Sequence, residues 1–274
     1  MILIVSSRKD PAGLNIKKQV LKNYPFKETE ETYQENPVFC AKLRGAEVKL
    51  ITLNEEATMA QYLSDHFHNL SLVVFISRHS SQSGTPTLSV HTPGNFGPAE
   101  LGGLPRSVSI SPATAMRDTL TALLRYRTVT SAEYEVSYEC THHGPSLNAP
   151  TMFVELGSSP PQWRDIDAAE TVAHATMEAV SKFGHTQNSA ALGIGGTHYN
   201  QRFTRMALEG KAIFGHMIPK YAVGYADSEI LRQCVEKTVE KVDFALLDWK
   251  GIRSENKENL INSLQEIGLP YVKI

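Results

Sequence analysis

The chain has 274 residues, of which 27 are basic and 29 are acidic, so its formal net charge is −2. This charge is not that of a general nucleic-acid or membrane binder, so any anionic partner must meet a local basic patch. An apolar content of 41% allows a sizeable core, and the length favours one large α/β domain over residues 1–274.

The three cysteines are far apart and show no CxxC spacing, which argues against a disulfide framework or a structural zinc knuckle and fits a reducing cytoplasm. The opening MILIVSS is too short for a signal peptide and predicts a first buried strand. No window approaches the roughly 18 apolar residues of a membrane span. We therefore expect a cytoplasmic protein with no membrane segment.

Short β-rich runs alternate with helical runs along the chain. The predicted strands are Met1–Ser6, Glu47–Leu53, Leu72–Ser77, Thr87–His91, Glu133–Thr141, Thr151–Gly157, Ala190–Gly195, Lys211–Gly215, Phe244–Asp248 and Tyr271–Ile274. Several of them, such as LVVFIS at 72–77, are almost continuously apolar, which is typical of strands buried on both faces.

Helices are predicted between the later strands. They cover Pro112 to about Arg127, Ile166–Phe183, Asp227–Val242 and Ser254–Ile267. Ser111 and Asp165 would cap the first two, and Gly184 would end the second. The alternation predicts an α/β fold in three layers, a mostly parallel mixed sheet with helices on both faces.

Residues 78 to about 107 break this rhythm. They are rich in glycine and proline around one short strand and are too long for a simple connection. Since loops of this length are often functional, we expect an excursion of the domain that contributes to its site.

Six of the ten histidines fall at or just beyond a predicted strand end. They are His79, His91, His142, His143, His198 and His216. Glu155 lies near the end of another strand. In open α/β sheets, ligands bind outside the carboxyl ends of the strands, and imidazole with carboxylate suits zinc or acid–base catalysis. The alternative is that each histidine only satisfies a buried carbonyl at a sheet end.

The remaining histidines are expected to be structural or solvated. His66 and His68 lie in a polar segment, His174 has glutamates four residues to either side, and His185 follows the end of a helix. The glycines at 193–196 match no nucleotide motif, and close backbone packing explains them as well as a phosphate loop would. Basic residues flank the histidine segments and either meet phosphates or are simply solvated. They are Arg78, Arg202, Arg205 and Lys220.

Taken in order, the histidine segments resemble the archaeal- and plant-type D-aminoacyl-tRNA deacylases, also called D-tyrosyl-tRNA deacylases. The matching stretches are SRHSSQSGTPTLSVHTPGN, Ser-Pro at 111–112, Tyr-Glu at 138–139, THHGP, ELGSS, GGTHY and GHMIPKY. The resemblance spans nearly the whole chain. It implies a cytoplasmic, zinc-dependent hydrolase that releases D-amino acids from tRNA, with a fold similar to the phosphorylase and peptidyl-tRNA hydrolase class.

Together, the residues and the resemblance give a defined site. The predicted catalytic residues are His79, His142, His143, Glu155 and His198. The predicted zinc ligands are drawn from the same five together with His91, with up to two ions per subunit. The four basic residues above would bind tRNA, and we expect a monomer.

Two other functions remain open from the residues alone. One is a zinc or acid–base hydrolase of a small N-acyl amino acid or nucleoside. The other is a non-catalytic RNA-binding protein whose histidines are structural. Metal content separates the latter from the two hydrolases.

Overall fold

The computed structural model describes residues 1–127, 133–184 and 189–274. The strands are β1 Ile2–Ser7, β2 Lys27–Tyr33, β3 Asn36–Leu43, β4 Ala46–Leu53, β5 Leu72–Arg78, β6 Thr87–His91, β7 Gly94–Asn95, β8 Ser107–Val108, β9 Glu135–Tyr138, β10 Thr151–Gly157, β11 Ser189–Ile194, β12 Phe214–Ile218, β13 Lys241–Leu247 and β14 Tyr271–Lys273. The α-helices are α1 Pro11–Asn23, α2 Leu63–His66, α3 Ala113–Tyr126, α4 Pro160–Trp163, α5 Ile166–Lys182, α6 Gln201–Leu208, α7 Ser228–Glu236 and α8 Ser254–Glu266.

A large mixed sheet forms the centre of the fold, in the order β2-β3-β4-β1-β5-β10-β6-β9. Its middle strands β4, β1, β5 and β10 are parallel, as their apolar runs predict. The β2–β3 hairpin adds antiparallel strands at one edge, and β6 pairs antiparallel with β10 near the other. The predicted mixed α/β class with a mostly parallel sheet is confirmed.

The remaining long strands form a second sheet, in the order β12-β11-β13-β14, whose three pairings are all parallel. The picture of a single sheet is therefore wrong, although the strands themselves were predicted. Hydrophobic periodicity identifies a buried strand but says nothing about which strand it pairs with.

Helices and short segments cover the large sheet on both faces. Alternate side chains of its strands point to opposite sides, and those on one side pack against α1, α3 and α5. The other side is covered by a 3₁₀ turn at Ala57–Met59, by α2 and by the loop around Leu147. The second sheet packs its own apolar face against α7 and α8.

The two sheets meet just after β9. Cys140 N–H donates to the carbonyl of His198 at 2.9 Å, and Thr141 N–H donates to that of Met217 at 2.9 Å. The chain that leaves the large sheet is thereby bonded to the segments that follow β11 and belong to β12. Polar residues at both places are drawn into one region between the sheets.

Several elements differ from the sequence prediction. Helix α1 and the β2–β3 hairpin were not predicted, β12 begins three residues later than expected, and α7 ends at Glu236 rather than Val242. Helix α3 has Pro112 at its N-cap instead of Ser111, and the carboxylate of Glu240 accepts hydrogen bonds from the N–H groups of Ala113 and Thr114 at 2.9 and 2.8 Å. A cap supplied from a distant segment cannot be predicted from local sequence.

Candidate active site

Seven histidine and glutamate side chains come together between the two sheets. The large sheet contributes His79 just after β5, His91 at the end of β6 and Glu155 near the end of β10. Glu139, His142 and His143 follow β9, and His198 follows β11 of the second sheet. The structure thus brings together all six of the predicted metal ligands and adds Glu139.

Glu139 is the hub of this cluster and is fully buried. Its Oε1 accepts a hydrogen bond from Ser89 Oγ and lies 3.2 Å from His79 Nδ1. Its Oε2 lies 2.9 Å from His198 Nε2 and 3.6 Å from His142 Nε2. One carboxylate therefore contacts three of the histidines that the sequence singled out.

Glu155 and Glu139 hold His79 from two sides. Its Nδ1 lies 3.4 Å from Glu155 Oε2, and its Nε2 is hydrogen-bonded to the hydroxyl of Tyr199. Ser77 Oγ in turn donates to Glu155 Oε1 at 2.7 Å. Burial alone would lower the pKa of His79, but its bonds to the two carboxylates raise that pKa to about 11. Both ring nitrogens of His79 are thus committed to neighbouring side chains.

Three other histidines are oriented through their Nδ1 atoms. His142 Nδ1 lies 2.8 Å from the carbonyl of Cys140, and His143 Nδ1 lies 2.6 Å from that of Gly144. A carbonyl can only accept, so each Nδ1 carries the proton and each Nε2 keeps its lone pair. His198 Nδ1 contacts the hydroxyl of Tyr221 at 3.1 Å. In His142 and His143 this pattern, an outer bond on one nitrogen and a free lone pair on the other, is that of metal-binding histidines, whereas His198 Nε2 is bonded to Glu139.

His91 lies beside these lone pairs. Its Nε2 is 3.3 Å from His143 Nε2, while its buried Nδ1 has no hydrogen-bond partner among the described residues. Burial lowers the pKa of His91 and of His142 well below the ordinary value, and it lowers that of His143 to about 4. These three imidazoles are therefore neutral at pH 7, the state that metal binding requires.

The cluster contains three overlapping groups of three residues. Within each group, the ligand atoms lie within 4.8 Å of one another. The groups are His91, His142 and His143; Glu139, His142 and His198; and His79, Glu139 and Glu155. His142 belongs to the first two groups and Glu139 to the last two. Histidine and carboxylate ligands at this spacing suit zinc.

The strand directions differ from expectation at one point. His91 was expected at the same sheet edge as His79, but β6 runs antiparallel to β10 and pairs His91 with Phe153. The carboxyl end of β6 therefore points away from that of β5. His91 still reaches the cluster because Phe153 lies only two positions before Glu155.

His216 does not join the cluster. Its Nδ1 contacts Thr141 Oγ1 at 3.2 Å and its Nε2 contacts the carbonyl of Lys237 at 3.0 Å. Burial lowers its pKa to about 4. This histidine satisfies buried polar groups, the alternative considered for all six. His66 and His68 are exposed, and His185 lies outside the described residues.

His174 differs in part from the surface ion pair that was predicted. Its Nδ1 contacts the hydroxyl of Tyr24 at 2.8 Å, and its Nε2 lies 3.9 Å from Glu170. Glu178, the other predicted partner, instead forms ion pairs with Arg125 and Lys182.

Of the four predicted basic residues, Arg78 lines a cavity of the cluster. It is paired with Glu56 at 3.1 Å, and the cavity also contains His79. Arg202 pairs with Asp248 at 2.9 Å, while Arg205 on α6 and Lys220 after β12 are exposed. Gly195 has a φ of +101°, and a Cβ there would lie 2.8 Å from the carbonyl of Asp248. Close backbone packing therefore explains the glycines at 193–196.

Comparisons with known proteins give matches over most or all of the chain. The family model for D-aminoacyl-tRNA deacylase matches residues 66–272. D-aminoacyl-tRNA deacylases from Pyrococcus horikoshii and Thermococcus onnurineus are 34% and 35% identical, over 100% of this chain and of each relative. The chain belongs to the D-aminoacyl-tRNA deacylase family. The resemblance of its motifs, and the deacylase function that it implied, are confirmed.

A solved structure agrees with this assignment at the level of the fold. The crystal structure of a conserved protein of unknown function has a TM-score of 0.87 and is 31% identical, covering 100% of this chain and 95% of that one. Within the described part of the chain, no helix is both long and apolar enough to cross a membrane.

Sequence reasoning missed Glu139 as a site residue. It stands in the Tyr-Glu pair of a matching motif and comes three residues before His142. It also missed Ser77, Ser89 and the tyrosines 199 and 221, which hold the cluster from outside. The usable signal was a glutamate directly after a largely buried strand, since a buried carboxylate needs specific partners.

Proposed function

We propose that this deacylase is zinc-dependent and uses the histidine–glutamate cluster to hydrolyse the ester between a D-amino acid and the terminal adenosine of tRNA. The observation that carries the proposal is the convergence of the Nε2 atoms of His142, His143 and His91 beside Glu139. Family membership gives the reaction. Among the described residues, all the groups of three or more histidine, cysteine or acidic side chains that could hold a metal ion lie in this cluster.

The residues fit zinc on two counts. The three imidazoles are neutral, and two of them have their Nδ1 protons fixed by backbone carbonyls, so their lone pairs point inward. A second group, Glu139, His142 and His198, shares His142 with the first, and since the one free lone pair of His142 can bind only one ion, the two groups are alternative positions for a single zinc ion. When bound, zinc would polarise the ester carbonyl and lower the pKa of water toward about 7.

The protein itself must take up a proton and return one, because water loses a proton and the leaving ribose oxygen gains one. Glu155, whose pKa burial raises to about 7, is placed to take the proton up, and His79, which is protonated at neutral pH, is placed to return one. Its Nδ1 lies between Glu139 and Glu155, and its Nε2 reaches the hydroxyl of Tyr199. Both His79 and Tyr199 line the same cavity, so the proton path opens onto the space where the ester would lie. We assign acid–base work to Glu155 and His79 and metal binding to the other histidines.

Preference for the D-enantiomer requires exclusion rather than attraction, since both enantiomers carry the same groups. The cavity must fix the α-ammonium and the ester together and leave no room where the L side chain would point. A steric clash of a few kcal/mol corresponds to a selectivity of about a hundredfold.

We assign tRNA phosphate contacts to Arg205 and Lys220, exposed cations on segments that flank His198, and to Arg202 and Arg78 beside them. Arg205→Ala and Lys220→Ala should raise the KM for aminoacyl-tRNA with little change in kcat, since phosphate contacts supply most non-specific affinity. Lys241→Ala is the matched control. Lys241 is an exposed lysine at the amino end of β13, whereas His198 follows the carboxyl end of the neighbouring parallel strand β11. Equal effects of all three substitutions would contradict the assignment of tRNA binding to Arg205 and Lys220.

We further propose that the enzyme acts as a cytoplasmic monomer.

Zinc content tests the metal assignment independently of activity. Protein purified without chelator should contain zinc by elemental analysis, and His142→Ala should lose it, because His142 belongs to two of the ligand groups. His66→Ala, at an exposed histidine, should retain it. Zinc-free protein with full deacylase activity would overturn the metal assignment and leave acid–base catalysis by histidine.

A further inference from the structure

Two cavities flank the His142–His143 pair. Leu101, His142 and His143 line both of them. The larger has a volume of about 640 Å³ and contains His79, Glu155 and His198. The smaller has a volume of about 410 Å³ and lies on the other side, toward the segment that follows β12. There is therefore one cavity available for each substituent of an ester cleaved beside the histidine pair.

The smaller cavity has an aromatic lining. Tyr221 and Tyr225 line it and are 59% and 45% exposed, and Phe96 contributes a third ring. Tyr221 stacks on His198 with one face and Tyr225 lies against Gly97, and both rings keep a large part of their surface open to solvent at the mouth of the cavity. Aromatic faces of this kind are the usual platform on which proteins stack unpaired nucleobases.

The two cavities also differ in the charged side chains that line them. The described residues that line the smaller cavity include no lysine or arginine, and Glu100 is their one carboxylate. A neutral nucleoside fits such a lining, whereas a phosphate group does not. The larger cavity contains Arg78 together with the carboxylates of Glu56 and Glu155. Carboxylates attract the α-ammonium group of an aminoacyl ester, and the larger volume accommodates side chains of different size.

We propose that the smaller cavity is the nucleoside subsite, in which the terminal adenosine of tRNA stacks on Tyr225, and that the larger cavity takes the aminoacyl group. The proposal rests on the deacylase function above and adds the direction in which the substrate lies. The ester then crosses the ridge formed by His142 and His143, between the stacked base and the cavity of His79.

Gly97 provides a way to move the stacking ring without removing it. A Cβ at this position would lie 2.8 Å from Cζ of Tyr225, so the ring packs directly against the glycine backbone. The three atoms nearest to the added Cβ all belong to the far end of the Tyr225 ring, so we expect Gly97→Ala to move that ring rather than the backbone. The substitution should displace the ring and weaken stacking while the tyrosine is still present.

The experiment is a binding titration with a short RNA that ends in CCA, the same RNA without its terminal adenosine, and 5′-AMP. For the parent protein, removal of the terminal adenosine should weaken binding. Tyr225→Ala should weaken binding of the CCA-ended RNA by about tenfold or more, whereas Tyr225→Phe, the matched control, should stay within about twofold. Gly97→Ala should lie between them. In deacylation assays, Tyr225→Ala should raise KM more than it lowers kcat.

Three results would overturn the proposal. One is unchanged binding of the CCA-ended RNA by both Tyr225→Ala and Gly97→Ala, with folding verified by thermal melting. Another is equal binding of the two RNAs by the parent protein. The third is 5′-AMP binding tighter than the CCA end, which would make free nucleotide the ligand. A parent enzyme that fails to release D-tyrosine from tRNA would refute the deacylase function instead, and the titration would still decide what the cavity binds.

Discussion

Replacement of Glu139 by glutamine is the substitution that should affect the site most. The buried carboxylate accepts from Ser89 with one oxygen and contacts His198 with the other, while His79 lies 3.2 Å away. The glutamine amide keeps one acceptor, but its NH₂ group cannot accept from an imidazole N–H. At least one charge-assisted bond is lost, and such bonds contribute roughly 1.5–3 kcal/mol.

A loss of about 2.7 kcal/mol in the transition state corresponds to about a hundredfold in rate. We therefore expect Glu139→Gln to lower kcat/KM for D-tyrosyl-tRNA by about a hundredfold, the upper range for residues that orient metal ligands. The assay is release of labelled D-tyrosine from tRNA, with zinc content measured on the same samples. Glu135→Gln is the control, since Glu135 is exposed at the start of β9, the strand that Glu139 directly follows. Activity of Glu139→Gln within threefold of Glu135→Gln would refute the central role of this carboxylate.

The other predictions concern stability. Burial lowers the pKa of His216 from 6.5 to about 4 in the folded protein. As the pH falls from 6.5 to 4, this histidine is protonated in the unfolded chain but not in the folded one, so the free energy of unfolding decreases. That decrease amounts to about 3 kcal/mol, so urea unfolding of His216→Gln should show a weaker pH dependence than the parent in this window, and parallel curves would contradict it. Asp165→Ala should cost about 2 kcal/mol, because Asp165 caps α5 through Ala168 N–H and accepts from Tyr134. Asp167→Ala, at an exposed neighbour, should change the unfolding free energy little, and equal losses would refute the capping argument.

Much of the fold could be predicted from the sequence. The buried parallel strands were located within a few residues because their apolar runs are nearly continuous. Helix α5 was predicted with its cap, Asp165, because cap and stop signals are local. Helix α1 carried an equally clear signal, Asp10 before Pro11, that was not used. The β2–β3 hairpin could not be found in this way, because β2, KETEETY, is mostly exposed and shows no alternation of apolar and polar residues.

The site shows the same division. The histidines could be identified because they follow strands, a property of the local sequence. Their partners could not, since Glu139 contacts His198 from 59 positions away and His79 from 60. The antiparallel direction of β6 and the division into two sheets depend on strand pairing, which hydrophobic patterns leave open.

Release of amino acids from D- and L-tyrosyl-tRNA, measured with the parent protein before and after chelation and again after zinc is added back, tests the account most directly. The account predicts rapid release from the D-ester, little from the L-ester, loss of activity with the metal, and recovery with zinc. Equal rates on the two esters, or full activity in metal-free protein, would contradict it.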